Sequence, residues 1–341
     1  MKRTRDIFIA LMFLIIYACG NNYGENDGNA LFPIVANEKW GYMNASGEIV
    51  ISPQWDEAEL FVEGLARVRI SGKYGFINKS GEYVINPQFE YADEFSEGMA
   101  CVCIGDKYGY INQNGKFIIN PQFEEAFRFS DGLACIGIGG KYGYINKNGE
   151  IIINPQFELP AWFFENMAMA VIGNEDSYIC GYINKKGDMI IIPQFDDAKN
   201  FSDGLAPVSI GNKYGYVNRN GEYIINPQFE YASEFSEGFA SIRIGDKYGF
   251  INKNGKYAIN PQFDDAWFFY EGLAAIKING SWGFINKDGE LIITPQYSER
   301  TSFNHGLAKV EFDENTWGYI DKQGKVIWKN SNKNEIVYSN N

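Results

Sequence analysis

Imidazole is almost missing from this chain: its 341 residues hold one histidine, His305. Metal centres built on paired histidines, and triads that set a histidine between a nucleophile and a carboxylate, have almost nothing to draw on. His305 stands in the turn Phe303-Asn304-His305-Gly306, where a solvated surface residue is the ordinary outcome, and no role is assigned to it. Positive charge is scarce as well, with 30 Lys and Arg against 43 Asp and Glu. A surface so acidic repels phosphate backbones and anionic headgroups, which argues against nucleic acid and against adsorption to bare membrane. The chain lacks the Asp-x-Asp-x-Asp-Gly loop that gathers oxygens around calcium. Its apolar run Ile7 to Ile16 is too short to span a bilayer comfortably.

What fills the chain instead is repetition. An aromatic residue, Gly, an aromatic, an aliphatic, Asn or Asp, two mostly polar residues and Gly recur nine times between Trp40 and Lys329, with Cys180 replacing the first aromatic in the fifth copy. The first glycines of these copies are Gly41, Gly75, Gly109, Gly143, Gly181, Gly215, Gly249, Gly283 and Gly318, so the step is 34 residues with departures to 38 and 35. Periods of this size belong to solenoids, propellers and arrays. With 16% aromatic and 45% hydrophobic residues there is ample material for a packed core.

Within one copy, Leu65 to Ile70 alternates apolar and charged residues, the pattern of a half-buried strand. Tyr74 to Asn78 and Tyr83 to Ile85 follow as two more strands around the turn Asn78-Lys79-Ser80-Gly81. Asn caps such a turn through its side chain, and Gly supplies its left-handed residue. Pro87, which has no amide hydrogen to give, is expected to stop the third strand. The aromatics Phe89 and Phe95 recur in eight copies and read as packing between units rather than as a binding site. Asn166, standing where other copies have Gly98 and its equivalents, tolerates the same left-handed backbone.

Lys39-Trp40-Gly41-Tyr42-Met43-Asn44 and Ser281-Trp282-Gly283-Phe284-Ile285-Asn286 resemble the signature of the bacterial WG-repeat family, over about residues 31 to 328. The resemblance implies tandem β-repeats, often in exported proteins, and no common activity. The reading is therefore all-β: nine units of about 34 residues, each a three-stranded antiparallel meander, stacked as an open arc or superhelix. Neither terminus carries a split unit of the kind that usually closes a propeller, so a β-propeller-like ring is the alternative.

Residues 1–18 read as a signal peptide, with Lys2, Arg3 and Arg5 ahead of the apolar run. The segment resembles a bacterial lipoprotein signal, which implies lipidation of Cys19, residues 19–30 being a flexible tether and 329–341 a polar tail. Export to the cell envelope follows, with a lipid anchor in the outer membrane or on the periplasmic face; secretion is the outcome without the anchor. After cleavage 27 basic and 42 acidic residues remain, so membrane contact would come from lipid alone.

Acidic pairs such as Asp93 with Glu94 and Asp264 with Asp265 recur from copy to copy, unlike the single differentiated pair of a glycosidase. No catalytic residue, metal site or cofactor is assigned, and an enzyme is the least favoured reading. Variation between copies falls on the second face of the first strand, where Arg67, Arg69, Cys101, Cys103, Cys135, Met169, Arg243 and Lys277 form a candidate binding stripe. Soft-metal binding by the thiols and a Cys101–Cys135 disulfide are the competing uses of its sulfur. Four extra residues near Asn174 mark a candidate contact loop with Trp162, Phe164, Glu175, Asp176 and Tyr178. The function expected is a non-enzymatic envelope scaffold for a protein partner. Glycan binding is the alternative, and exposed rings at Tyr74, Tyr108 and Tyr142 would favour it.

Overall fold

A computed structural model of the protein describes residues 29–330 apart from 175–176 and 314–315. The leader, Cys19, most of the tether, the end of the tail, Glu175 and Asp176 lie outside the described residues. The nine repeats form nine antiparallel sheets, the blades of a nine-bladed β-propeller ring. Blade 2 is representative: an inner strand Glu57–Val62, a second Leu65–Ile70, a third Lys73–Ile77 and an outer Tyr83–Phe89. Seven blades have these four strands; among the described residues blade 1 (Leu31–Ala36, Lys39–Asn44, Ile49–Trp55) and blade 5 (Met167–Asn174, Ser177–Asn184, Met189–Phe195) have three. The unit is thus commonly one strand richer than the sequence suggests, because the segment read as turns pairs briefly with its neighbour, as in Tyr91↔Cys103 and Ala92↔Val102.

The tight turns form as their residues dictate. The side-chain oxygen of Asn44 accepts the amides of Ser46 and Glu48, each at 3.0 Å, and Gly47 takes φ 87°. Asn166 likewise adopts φ 66°.

Proline does not stop the outer strand, which runs through Pro87 to Phe89. The register slips from Tyr74↔Phe89 to Phe76↔Ile85, and in that bulge the outer strand folds over Gly75. A β-carbon on Gly75 would lie 2.6 Å from the carbonyl oxygen of Ile85 and 2.7 Å from the nitrogen of Pro87. The bare proline nitrogen and the bare glycine carbon therefore face each other. Their pairing in eight of the nine copies is one contact seen from two sides.

Blade meets blade through the recurrent aromatics. Phe95 of blade 3 packs against Phe76 of blade 2 with ring centroids 4.8 Å apart, and Phe235 repeats the contact on Tyr216 at 4.8 Å. On the same seams an acidic residue in a left-handed turn caps the next blade. Glu97 (φ 54°) accepts the Gly132 amide at 3.0 Å and Lys147 Nζ at 3.1 Å; Glu237 accepts Gly272 at 3.0 Å and Lys287 at 3.0 Å. Such carboxylates run from Glu63 to Glu271, seven in succession, and charge-assisted hydrogen bonds of this kind are the stronger ones. His305, with φ 50°, holds the corresponding turn position in blade 9, which accounts for it as a surface turn residue.

The ring closes, which settles the arc or ring question for the alternative. No strand is shared between the ends: Leu31–Ala36 pairs with Lys39–Asn44, and Val326–Lys329 with Thr316–Asp321. Closure comes from side chains. Phe32, Ile34 and Met43 of blade 1 share one buried cluster with Leu307, Tyr319 and Trp328 of blade 9. Tyr319 donates its hydroxyl to the Pro33 carbonyl at 3.0 Å, and Trp40 stacks on Trp317 at 5.8 Å. Phe32 stands where every other blade has alanine, from Ala66 to Ala308, and its ring meets Tyr319 edge-on at 5.5 Å. It supplies the aromatic contact that an inner-strand phenylalanine makes elsewhere. The absence of a split unit was therefore a poor guide, because apolar faces alone hold the two ends together.

Candidate functional site

The inner strands face the axis, since residues of blades 2, 8 and 9 wall one common cavity through Glu57 to Leu60, Trp267 to Phe268 and Thr301 to Phe303. In six blades the inner segment reads Ala-x-x-Phe. The alanine is buried in all six and the phenylalanine in five, as in Ala92, Phe95, Ala232 and Phe235, Phe61 being partly buried. The two residues between differ in every copy: Glu59-Leu60, Asp93-Glu94, Phe127-Arg128, Lys199-Asn200, Ser233-Glu234 and Trp267-Phe268. Blades 5 and 9 keep the phenylalanine but have Pro160 and Arg300 for the alanine, with Ala161-Trp162 and Thr301-Ser302 between. The sequence singles out Asp93 with Glu94 as an acidic pair and Trp162 as a contact-loop residue, but the variable pair as a recurring axial position becomes visible only in the fold.

The axial wall holds charges at some cost. Arg128 and Glu94 pair at 2.6 Å with side chains only 12% and 15% exposed. Burial, against the pull of Arg128, pushes Glu94 up to about 7 and raises Asp93 as well. Across the ring, Lys199 donates to the Ala232 carbonyl at 2.8 Å and lies 4.1 Å from the Tyr231 ring centre.

Beside blade 1, where Phe32 and Pro33 edge the axis, a cavity of about 400 Å³ opens at the closing seam. Trp40, Trp267 and Phe268 give it flat apolar walls, and Thr301, Asn304, Glu59 and Lys309 give it polar ones. Its two carboxylates are each held by an arginine: Glu57 by Arg69, and Glu59 by Arg67 at 3.4 Å. Lys309 is different. Its ammonium lies over the rings of Trp317 at 4.2 Å and Trp40 at 5.6 Å, and among the described residues it has no ion pair and no hydrogen bond. Desolvation by the surrounding rings lowers its pKa from the usual lysine value, with Glu59 and Glu311 opposing.

The candidate stripe is not an open surface. A propeller blade is covered on both faces, so Cys101 and Cys135 are 1% exposed, and Cys103 and Met169 are buried too. The thiols are unpaired, which removes the Cys101–Cys135 disulfide. Burial pushes Cys135 and Cys180 up to about 12, so neither offers a thiolate at neutral pH. The cations of the stripe are half-buried: Arg67 donates to the Ala92 carbonyl, Arg69 pairs with Glu57, and Arg243 and Lys277 lie 5.8 and 5.7 Å from the rings of Tyr248 and Trp282. Tyr74, Tyr108 and Tyr142 are half-buried or buried, and the hydroxyls of Tyr74 and Tyr142 donate to Glu57 at 3.0 Å and Glu125 at 2.7 Å. They pack; they do not form an exposed row.

The contact loop divides in two. Trp162 is 4% exposed and packs edge-on to Phe127 at 5.4 Å, while Phe164 is partly buried, so both belong to the wall. The four extra residues lengthen a hairpin instead. Its strands, Met167–Asn174 and Ser177–Asn184, reach eight residues where others have five to seven, and Tyr178 and Ile179 are exposed near its tip. On the outer strand of the same blade Ile192, 67% exposed, stands where most copies have Asn.

The family described as WG containing repeat matches nine stretches: residues 40–74, 74–108, 108–142, 142–175, 181–214, 214–248, 248–282, 282–315 and 317–327. Among curated proteins there is no match. Among solved structures, a eukaryotic initiation factor superposes with a TM-score of 0.65 at 9% identity, over 89% of this chain and 96% of that one. A computationally designed protein, Ika8, gives a TM-score of 0.47 at 9% identity, covering 72% of this chain and 88% of the other. At such identity the first likeness speaks for the fold alone.

Proposed function

The chain belongs to the WG containing repeat family, and from that premise we propose that it is a non-catalytic scaffold that binds a protein partner at the bacterial cell envelope. One observation carries the reading. Every contact that recurs from blade to blade is spent on packing, whereas blade 5 departs from the repeat by extending a hairpin that presents Tyr178 and Ile179 to solvent. Exposed aromatic and aliphatic residues on a projecting element of a rigid frame are the usual make-up of a protein contact. The partner is expected to be captured from native envelopes by the chain beginning at Cys19. Removal of residues 174–177, which restores the 34-residue step, should abolish that capture while leaving the fold intact by circular dichroism. Equal capture by both forms would sink the proposal.

The leader supports export and anchoring at Cys19. Full-length protein should sediment with membranes, and Cys19→Ala should release most of it into the soluble fraction. Unchanged sedimentation would remove the anchor from this reading.

A further inference from the structure

The seam cavity stands apart from the blade 5 hairpin, and we propose that it binds an acidic sugar: a pyranose bearing a carboxylate, held with that carboxylate on Lys309 and its C–H face on Trp40 or Trp267. Three observations lead there. The first is charge. Glu57 and Glu59 are paired with Arg69 and Arg67, while Lys309 forms no ion pair among the described residues: its ammonium lies over aromatic rings, with Glu59 and Glu311 acting on it only from beyond ion-pair distance, so the cavity offers one positive group open to a direct partner. Behind the Trp267 wall the Arg300 guanidinium lies 3.4 Å from the ring centre, a second cation of the same sign. The attraction offered to an anion is thus local, a direct contact with the Lys309 ammonium, in a chain that as a whole carries a net charge of −13.

The second is shape and polarity together. Flat rings suit the C–H face of a sugar or an aromatic ligand equally. The Asn304 amide and the Thr301 hydroxyl, which already donates to the Ser302 carbonyl at 3.5 Å, stand beside them, however, and a wholly apolar anion would cover their remaining hydrogen-bonding capacity without using it. Hydroxyls around a ring satisfy them. The third is size. About 400 Å³ is at the lower end for small-molecule sites, enough for one or two rings and too little for a folded partner.

Calorimetric titration with methyl glucuronoside, methyl glucoside and benzoate, using the chain beginning at Cys19, tests the assignment. The glucuronoside is expected to bind at least tenfold more tightly than the glucoside, and benzoate more weakly than the glucuronoside. Lys309→Met should remove the tenfold preference, and Lys309→Arg should keep most of it, which separates a lost charge from a lost fold. Transfer of saturation from the protein to the pyranose ring protons would place that face on the tryptophans. The proposal is overturned by equal binding of the two glycosides, by an unchanged preference in Lys309→Met, by benzoate binding most tightly, or by no binding of any of the three. It is overturned equally if binding is confined to a chain begun at Asn29, since the cavity would then belong to the protein's own N-terminal segment.

Discussion

Alanine at Gly215 is expected to destabilise the protein by about 3 kcal/mol or more, the upper end for forcing one methyl into a packed interior. Its β-carbon would lie 2.4 Å from the Ile225 carbonyl oxygen and 2.6 Å from the Pro227 nitrogen. Both are backbone atoms of the crossing outer strand, Tyr223–Phe229, and neither can swing aside as a side chain could. Relief requires that strand to lift off the blade, which strips Ile225 from its packing and exposes the seam beneath it. Gly137→Ser is the matched control. That glycine lies in a second strand where Arg69 and Ser209 stand in other copies, and its nearest neighbour is the β-carbon of Glu125 at 3.0 Å. It should cost less than about 1 kcal/mol. Urea unfolding followed by tryptophan fluorescence reads both; a Gly215→Ala chain with the parent's midpoint would refute the crossing-strand account.

Phe32→Ala should be as damaging, by about 3–5 kcal/mol, and in a different manner. Phe32 is 1% exposed and joins the first blade to the last. Phe235→Ala removes an equally buried ring from an ordinary seam, where sequence-adjacent blades keep the gap together. At the closing seam no peptide connection does so. Small-angle scattering should therefore show a larger radius of gyration for Phe32→Ala than for Phe235→Ala at equal loss of stability. Identical scattering from both variants would mean that Phe32 fills space without closing the circle.

Much of this was legible in the chain. The period, the Asn-x-x-Gly turns and the left-handed Asn166 follow from local chemistry, which acts over a few residues and leaves a direct mark. The misreadings came from long-range geometry. Leu65 to Ile70 alternates and suggests one wet face, yet Met99-Ala100-Cys101-Val102-Cys103 is apolar throughout, the mark of a strand covered on both sides. That second pattern held the correct answer for all the blades. Pro87 reads as a terminator when its missing amide hydrogen is taken alone, without the glycine it faces. Curvature was beyond the repeat itself, since identical units stack into arcs or circles according to small rotations at each seam. Only the exchange of alanine for Phe32 hinted at closure. Of the candidate site residues, the sulfur-bearing stripe is packed inside the blades and Tyr178 is exposed; Lys309 lies on the same variable face but does not stand out in the sequence, because its meaning depends on Trp40, far away in the chain.

A circle that borrows no strand across its ends is pressed together, like books between book-ends, and is not buckled like a belt. Loss or duplication of one whole copy would change its circumference without severing any hydrogen-bonded ladder, provided that the leading Phe32 face still meets the trailing Tyr319 face. A chain with one copy more or fewer is expected, on this account, to form a ring of a different diameter. The axial opening, and whatever it admits, would widen or narrow with each step.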